Sequence, residues 1–190
     1  MRIAVYCSSS TRIDPLYFNV ARNAGALIAE GGHELIYGGG SVGLMGAIAE
    51  AVHERGGQVF GVIPEALKEK EGLAYHLADE LIVTQTMQKR KSTMYRRADA
   101  FMVLPGGMGT LEEFLEVVTL KQLGYHQKPI VLINANGLFD TLLGYFDQLH
   151  EKNFTHEGSQ DVYEGVPTPR EGIDIIAAES VAQVTENGTG

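Results

Sequence analysis

Short apolar runs alternate with stretches of helical periodicity through most of this 190-residue chain, and this alternation is the strongest constraint on its fold. The pattern predicts strands at Arg2–Cys7, Glu34–Tyr37, Gln58–Ile63, Leu81–Val83, Ala100–Leu104 and Pro129–Ile133. It predicts helices at Pro15–Glu30, from the glycine turn after Tyr37 to about Arg55, and at Thr86–Arg97, Leu111–Gly124, Leu138–Lys152 and Ile173–Val184. Repeated β-α alternation of this kind is typical of an α/β fold with a doubly wound parallel sheet and helices on both faces.

Three turns rich in serine or glycine follow predicted strands: Ser8–Thr11, Gly38–Gly46 and Pro105–Glu113. In a parallel sheet the carboxyl ends of the strands lie at one edge, and ligands bind just beyond that edge. We therefore expect these three turns to converge on a single site. The polar stretch Pro64–Ala78 is predicted to be a surface loop or a short helix.

The turn Pro105–Glu113 reads Pro-Gly-Gly-Met-Gly-Thr-Leu-Glu-Glu and joins a buried strand to a helix. A helix N-terminus leaves backbone N–H groups unpaired and favours a bound anion, most often phosphate. A simpler interpretation is that Thr110 and Glu113 form a capping box that only completes the helix. Glu112 also suits a first helical turn on the grounds of the helix dipole alone.

The turn after Tyr37 matches the spacing G-x-G-x-x-G between Gly38 and Gly43, so a dinucleotide site must be considered. The match lies on the second strand rather than the first. The nearest acid beyond the next strand, Glu65, comes 27 residues after Gly38, whereas about 20 is expected. Tight packing of strand against helix is the alternative interpretation of these glycines.

The helix before the central strand carries the run Met87–Lys91 and, further on, Arg96 and Arg97. A run of this kind is usually a solvated face. This helix leads into the strand that delivers Pro105, so a guanidinium near the Gly106 turn could neutralise a phosphate or hold a leaving group.

Composition excludes several classes of protein. A net charge of −9 argues against a general nucleic-acid binder, and no apolar run approaches the length of a membrane span. The N-terminus enters a strand rather than a signal peptide, and with Cys7 as the single cysteine a reducing cytoplasm fits best. Cys7 itself is expected to be a core residue. We expect one domain over residues 1–190, with weak patterning from about residue 153.

The histidines form no familiar metal motif, and no lysine is marked as a nucleophile. His33, His53, His150 and His156 each precede a glutamate, but none belongs to an H-E-x-x-H pair. Lys89 and Lys91 could form a Schiff base in principle, but nothing in the sequence marks either lysine as desolvated.

Three motifs together resemble the LOG (LONELY GUY) family: the glycine run Gly38–Gly46, Met87-x-x-Arg-Lys91 and Pro105-Gly-Gly-x-Gly-Thr-x-x-Glu113. The similarity extends through Gly61–Pro64, Gln122–Gly124 and Lys128-Pro129, and covers roughly residues 2 to 152. Members of this family are cytokinin riboside 5′-monophosphate phosphoribohydrolases, often mislabelled as lysine decarboxylases. The resemblance implies a Rossmann-like fold, usually a homodimer, and hydrolysis of a nucleoside 5′-monophosphate to ribose 5-phosphate and adenine or an N6-prenylated adenine.

The resemblance also implies roles for particular residues, with no metal or organic cofactor. Arg90 and Glu113 match the catalytic pair of the family. The positions that match its substrate-binding and phosphate-binding residues are Glu71, Lys91, Gly106, Gly107, Met108, Gly109, Thr110, Leu111, Glu112 and Thr119. Further candidates are Ser9, Gly39, Met45 and Met87. One departure is Gln88, which stands where the family usually has histidine.

The chemistry of such a reaction agrees with this assignment. Breaking a ribosyl–adenine bond builds positive charge on the sugar and negative charge on the base. We expect the Glu113 carboxylate to lie on the sugar side, the Gly106–Thr110 amides to hold the phosphate, and Arg90 to stabilise the base or fix the ribose phosphate. Two other hypotheses remain: a non-catalytic carrier of a nucleotide or of molybdenum cofactor, and a pyridoxal-phosphate decarboxylase, which would require a Schiff-base lysine.

Overall fold

Seven parallel strands form one sheet, in the order β4-β3-β2-β1-β5-β6-β7, in the computed structural model, which describes residues 1–71, 75–155 and 161–187. The strands are β1 (Arg2–Tyr6), β2 (Glu34–Tyr37), β3 (Val59–Pro64), β4 (Glu80–Thr84), β5 (Ala100–Val103), β6 (Ile130–Ile133) and β7 (Glu164–Val166). The α-helices are α1 (Pro15–Glu30), α2 (Gly43–Glu54), α3 (Glu65–Glu71), α4 (Met87–Arg97), α5 (Met108–Gln122), α6 (Asp140–Glu151) and α7 (Pro169–Asn187). The predicted α/β class, with a parallel doubly wound sheet, is confirmed.

Each face of the sheet has its own hydrophobic core. Helices α1, α2 and α7 cover one face, where Ile28, Ile48 and Ile176 are fully buried. Helices α4, α5 and α6 lie over the other face, where Met94 and Phe114 are fully buried. Because both faces are covered, the central strands are continuous apolar runs, which is typical of parallel sheets. No helix within the described ranges is long and apolar enough to cross a membrane.

Capping residues in the sequence mark the start of helix α1, whereas the C-terminal elements differ from their prediction. The Asp14 side chain accepts a hydrogen bond from the Leu16 amide at 2.8 Å, and Pro15 takes the first helical position, so α1 begins at the predicted residue. The last strand, β7, was not predicted, and α7 is longer than its predicted range of 173–184. The weakly patterned C-terminal segment therefore adds a seventh strand and a covering helix to the same sheet.

The order of the strands reverses at β1, which pairs with β2 on one side and with β5 on the other. A crevice opens at such a switch point because the chain segments that leave the two strands diverge. The segment after β1 begins at Cys7, and the segment after β5 contains the Pro105 turn. These two segments frame the candidate active site.

Candidate active site

A cavity of about 570 Å³ lies at the switch point, within the usual range of about 300–1,000 Å³ for small-molecule sites. Four stretches of chain line it: residues 7–12 after β1, residues 38–45 after β2, residues 87–90 on α4 and residues 107–113 at the start of α5. Ile63 and Leu67 complete the lining. The predicted convergence of the three turns is confirmed.

Backbone hydrogen bonds hold these turns together. The Ser8 amide donates to the Pro105 carbonyl at 3.1 Å, and the Leu44 amide donates to the Ser8 carbonyl at 2.9 Å. Gly43 has a φ of 61°, and a Cβ there would lie 2.5 Å from the Ser9 carbonyl carbon. Only glycine fits this position, because both its conformation and its contact exclude a side chain.

The other glycines of the second turn serve internal packing. A Cβ added at Gly38 would overlap Nη2 of Arg90, and one at Gly40 would lie 2.7 Å from Cε of Met45. Gly39 has a φ of 77° and packs against β3 outside the cavity, and its carbonyl accepts a hydrogen bond from the Tyr75 amide at 3.0 Å. The G-x-G-x-x-G spacing is thus explained by close packing around Arg90 and the Ser8–Ser9 segment. The dinucleotide interpretation is not needed to account for it.

Arg90 and Glu113 form a buried ion pair at the floor of the cavity. Nη1 of Arg90 donates to Oε1 of Glu113 at 2.6 Å, and Nε donates to the Val62 carbonyl at 3.0 Å. Both residues are only 8% exposed. Helix α4 places Arg90 one turn inside its N-terminus, after the Thr86 cap, so the guanidinium reaches under the end of β3. Two elements distant in sequence therefore deliver one charge each to the same point.

Burial raises the pKa of the Glu113 carboxyl above its ordinary value, and the adjacent Arg90 guanidinium opposes that rise. A carboxylate in this setting is held in one orientation by its partner and is poorly solvated. Such a group can stabilise a cation or accept a proton from water, since both processes relieve its buried negative charge. A buried carboxyl of this kind, beside a specific charge partner in a cleft, is a candidate catalytic group.

Helix α5 begins differently from the capping-box interpretation. Its N-cap is Gly107, with no side-chain cap, so Thr110 lies inside the first turn and is buried. Glu113 turns to Arg90 rather than back to the helix terminus. The capping-box interpretation is therefore wrong, because the helix starts at Met108 instead of Leu111. Its first-turn amides have no acceptor within the helix and lie beside the cavity.

Lys91 is directed to the outer side of the same site. Its ammonium group pairs with Glu112 and lies 3.3 Å from Oε2 of Glu116. The hydrogen bond that Lys91 donates to Glu112 raises the pKa of Lys91, so the amine stays protonated. A Schiff-base lysine needs the opposite shift, because only the neutral amine is a nucleophile.

Besides Gly39 and Lys91, described above, the residues predicted from sequence lie in several places. Those that line the cavity are Ser9, Met45, Met87, Arg90, Gly107, Gly109, Thr110, Glu112 and Glu113. Those that line a neighbouring groove on the outer face of α5 are Met108, Leu111 and Thr119. Gly106 lies directly under Thr110, where a Cβ would overlap the threonine side chain. The side chain of Glu71 lies outside the described residues.

Several cavity-lining residues carried no usable signal in the sequence. Ser8 and Ser10 belong to a polar turn of ordinary composition, and Arg12 is a single basic residue beside it. Cys7 is buried, and burial raises the pKa of its thiol, so it behaves as a core residue, as predicted. Within the described part of the chain, no group of three His, Cys, Asp or Glu residues is arranged to hold a metal ion.

Residues 45–176 match a family model described as "Possible lysine decarboxylase". The chain is 40% identical over 175 residues to cytokinin riboside 5′-monophosphate phosphoribohydrolase LOG2 of Arabidopsis thaliana, covering 92% of this chain and 82% of that protein. It is 43% identical over 170 residues to cytokinin riboside 5′-monophosphate phosphoribohydrolase LOG of Oryza sativa subsp. japonica, covering 90% of this chain and 70% of the rice protein.

Two solved structures share the fold at lower sequence identity. The molybdenum cofactor binding protein from Rippkaea orientalis superposes with a TM-score of 0.72 at 22% identity, over 93% of this chain and 95% of that one. The molybdenum cofactor carrier protein from Chlamydomonas reinhardtii gives a TM-score of 0.69 at 20% identity, over 96% and 98% of the two chains. At this level of identity the likeness establishes the architecture alone.

Proposed function

The chain belongs to the LOG family of cytokinin riboside 5′-monophosphate phosphoribohydrolases, and from this premise we propose that it hydrolyses the N-glycosidic bond of a nucleoside 5′-monophosphate. The products are ribose 5-phosphate and a free base, either adenine or an N6-prenylated adenine. The observation that carries this proposal is the buried Arg90–Glu113 pair at the floor of the cavity, facing the start of α5.

In this reaction water adds across the bond between the anomeric carbon and the base. The bond to the base nitrogen breaks, the water oxygen bonds to the anomeric carbon, and a water proton ends on the base. The transition state resembles an oxocarbenium ion. The Glu113 carboxylate stabilises that cation and orients or deprotonates the water. Its pKa, raised by burial, makes it a better proton acceptor than an exposed glutamate.

Arg90 orients Glu113 and supplies positive charge beside the reacting bond. Its Nε and Nη1 groups are already engaged by the Val62 carbonyl and by Glu113, and its Nη2 packs against Gly38. This arrangement favours a fixed role next to the carboxylate over a mobile grip on the substrate phosphate. The guanidinium can also stabilise negative charge that develops on the departing base.

In this proposal the 5′-phosphate binds at the start of α5. The amides of the first turn, with Gly107, Gly109 and the buried Thr110 at the cavity wall, offer donors to its oxygens. Because the phosphate does not react, its binding energy can be used to hold the sugar against Glu113. Met45, Leu67 and Met87 form an apolar wall for the base.

We also propose that the protein acts as a homodimer in the cytoplasm, without a metal or organic cofactor. Large apolar side chains are exposed on α5, in the turn after it and on α6. They include Met108 (84% exposed), Leu123, Tyr125 and Tyr145. An isolated chain gains little from presenting such a surface to water. Light scattering coupled to size-exclusion chromatography tests the dimer by giving the mass in solution.

The activity is tested by incubating the purified protein with AMP and, separately, with isopentenyladenosine monophosphate. Chromatography follows the free base, and a colorimetric assay follows ribose 5-phosphate. We expect equal amounts of the two products, and the relative rates rank the two bases. If neither nucleotide is cleaved but either one raises the melting temperature, the protein is a carrier. Release of CO₂ from lysine in the presence of pyridoxal phosphate would instead identify a decarboxylase.

A further inference from the structure

The segment after β1 forms the side of the cavity opposite the start of α5. Cys7, Ser8, Ser9, Ser10 and Arg12 all line the cavity. The segment is fixed at three levels: the Ser8 backbone bonds to Pro105 and Leu44, the Ser10 amide donates to Oγ of Ser8 at 3.1 Å, and the Arg12 amide donates to Oγ of Ser10 at 3.3 Å. These bonds hold the backbone of Arg12 at the rim of the cavity, and its side chain is exposed to solvent.

The charges around the cavity are unbalanced without Arg12. Three carboxylates lie on the first turns of α5, those of Glu112, Glu113 and Glu116. Among the residues that the structure describes, only Arg90 and Lys91 pair with them. A phosphate monoester brings a further charge of about −1.5 to −2 at pH 7. Arg90 and Lys91 are thus already committed to carboxylates before any substrate is bound.

Arg12 is the cation at this cavity that has no carboxylate partner among the described residues. Its guanidinium presents several donors in one plane, which suits two oxygens of a phosphate at once. Its side chain is exposed, so it can close over a bound group without breaking an existing ion pair.

Resting on the proposed function, we propose that Arg12 binds the 5′-phosphate monoester of the substrate from the side opposite the amides of α5. Arg12 is then a specificity-determining residue: it selects phosphorylated nucleosides over free nucleosides and takes no part in bond cleavage. In this arrangement the phosphate lies between Arg12, in the segment that follows β1, and the N-terminus of α5, which follows β5. The two segments face each other across the switch point of the sheet.

The test compares wild type with Arg12→Gln, Arg12→Lys and the control Arg22→Gln. Arg22 is an exposed arginine on α1 that does not line the cavity. For Arg12→Gln we expect KM for AMP to rise about tenfold or more while kcat stays within about twofold, because a charge-assisted contact to the phosphate is lost from ground and transition states alike. Arg12→Lys should recover part of the affinity, and Arg22→Gln should match wild type.

A binding measurement separates this inference from the proposed activity. Calorimetry with ribose 5-phosphate and with ribose gives the contribution of the phosphate without turnover. We expect Arg12→Gln to weaken ribose 5-phosphate binding by about tenfold. An unchanged KM and an unchanged affinity in Arg12→Gln would overturn the inference even if the enzyme is active. If wild type cleaves no nucleotide, the proposed function fails, and the same binding comparison still decides the role of Arg12.

Discussion

Arg90 and Glu113 are joined by a hydrogen bond of 2.6 Å at the floor of a cavity where each is 8% exposed. Arg90 lies on α4 and Glu113 on α5, the helices that precede and follow β5 in the chain. Neither charge would be stable if it were buried here without the other. A buried charge that loses its partner is costly, whereas a paired one is tolerated. The pair therefore fixes the position of the carboxylate and keeps it ionised enough to act on a cationic transition state.

Replacing Arg90 by methionine should destabilise the fold in a pH-dependent way. Removing one partner of a buried pair costs about 3–5 kcal/mol when the other stays charged. Glu113 can escape this cost by taking up a proton, since its pKa, already raised by burial, rises further without Arg90. A carboxyl group whose folded pKa lies above its unfolded value stabilises the fold at low pH and loses that contribution as the pH rises.

The measurement is the melting temperature of Arg90→Met at pH 5 and at pH 8, relative to wild type at each pH. We expect the larger deficit at pH 8. Arg90→Lys is the control, because it keeps the charge and should show little dependence on pH while still losing activity. An equal deficit at both pH values would show that Glu113 is not a buried charge in the variant.

The catalytic rate should fall on the acid side at a pH higher than an ordinary glutamate predicts. The carboxylate must be ionised to stabilise the oxocarbenium ion, and burial raises its pKa above the usual 4.5. We therefore expect kcat to decline with falling pH, with a midpoint above 4.5. The profile should be measured as kcat at saturating nucleotide, since kcat reports groups in the complex, whereas kcat/KM reports groups of the free enzyme and free substrate. A midpoint at or below 4.5 would contradict the assignment.

Gly38→Ala should abolish most of the activity and should also destabilise the fold, because a guanidinium that moves away from Glu113 leaves a buried carboxylate without its partner. A Cβ at this position overlaps Nη2 of Arg90, and the end of that side chain can move away more easily than the backbone can. The displaced guanidinium would no longer hold Glu113. The control is Gly144→Ala in α6, where no atom outside the neighbouring helix backbone lies within 4 Å of the added Cβ and the change should stabilise the helix by about 0.5–1 kcal/mol. Full activity in Gly38→Ala would mean that the orientation of Arg90 is unimportant.

Lys91→Met should weaken nucleotide binding, whereas Lys89→Met should not. Lys91 neutralises Glu112 and Glu116 beside the cavity, and its loss exposes an approaching phosphate to their negative charge. Lys89 is exposed on the same helix and has no ion pair among the described residues. The readout is KM for AMP at two salt concentrations. We expect the rise in KM caused by Lys91→Met to become smaller at high salt, because salt screens the repulsion between the carboxylates and the phosphate. Identical KM values for Lys91→Met and Lys89→Met would refute this role of Lys91.

The elements predicted most accurately from sequence are those with capping or helix-terminating residues at their ends. Asp14 and Pro15 mark the start of α1, Gly31 follows its end, and the observed range Pro15–Glu30 is the predicted one. The strand β7 was not predicted because Glu164–Val166 has three residues and only Val166 is buried. Its pairing with β6 is a tertiary event with no local signature.

The candidate site was predictable in outline, since strand ends followed by glycine turns meet at one edge of a parallel sheet. The sequence did not determine the hydrogen-bond partner of the Glu113 side chain, because the Thr110–Glu113 spacing fits a capping box equally well. The structure resolves this choice through the start of α5 at Met108, which moves Thr110 into the helix. Arg12 could not have been singled out, because its significance depends on the pairing of cations on a distant helix.

The most direct test of the account is to measure turnover and nucleotide affinity side by side for Glu113→Gln, with Glu151→Gln as the control. The substitution keeps the shape of Glu113 and removes its charge, so nucleotide affinity should stay within about threefold while base release falls by about 10²–10⁴-fold, the range for a catalytic acid–base group. Glu151 is exposed at the end of α6 and should be neutral. Base release near the wild-type rate in Glu113→Gln would contradict the account.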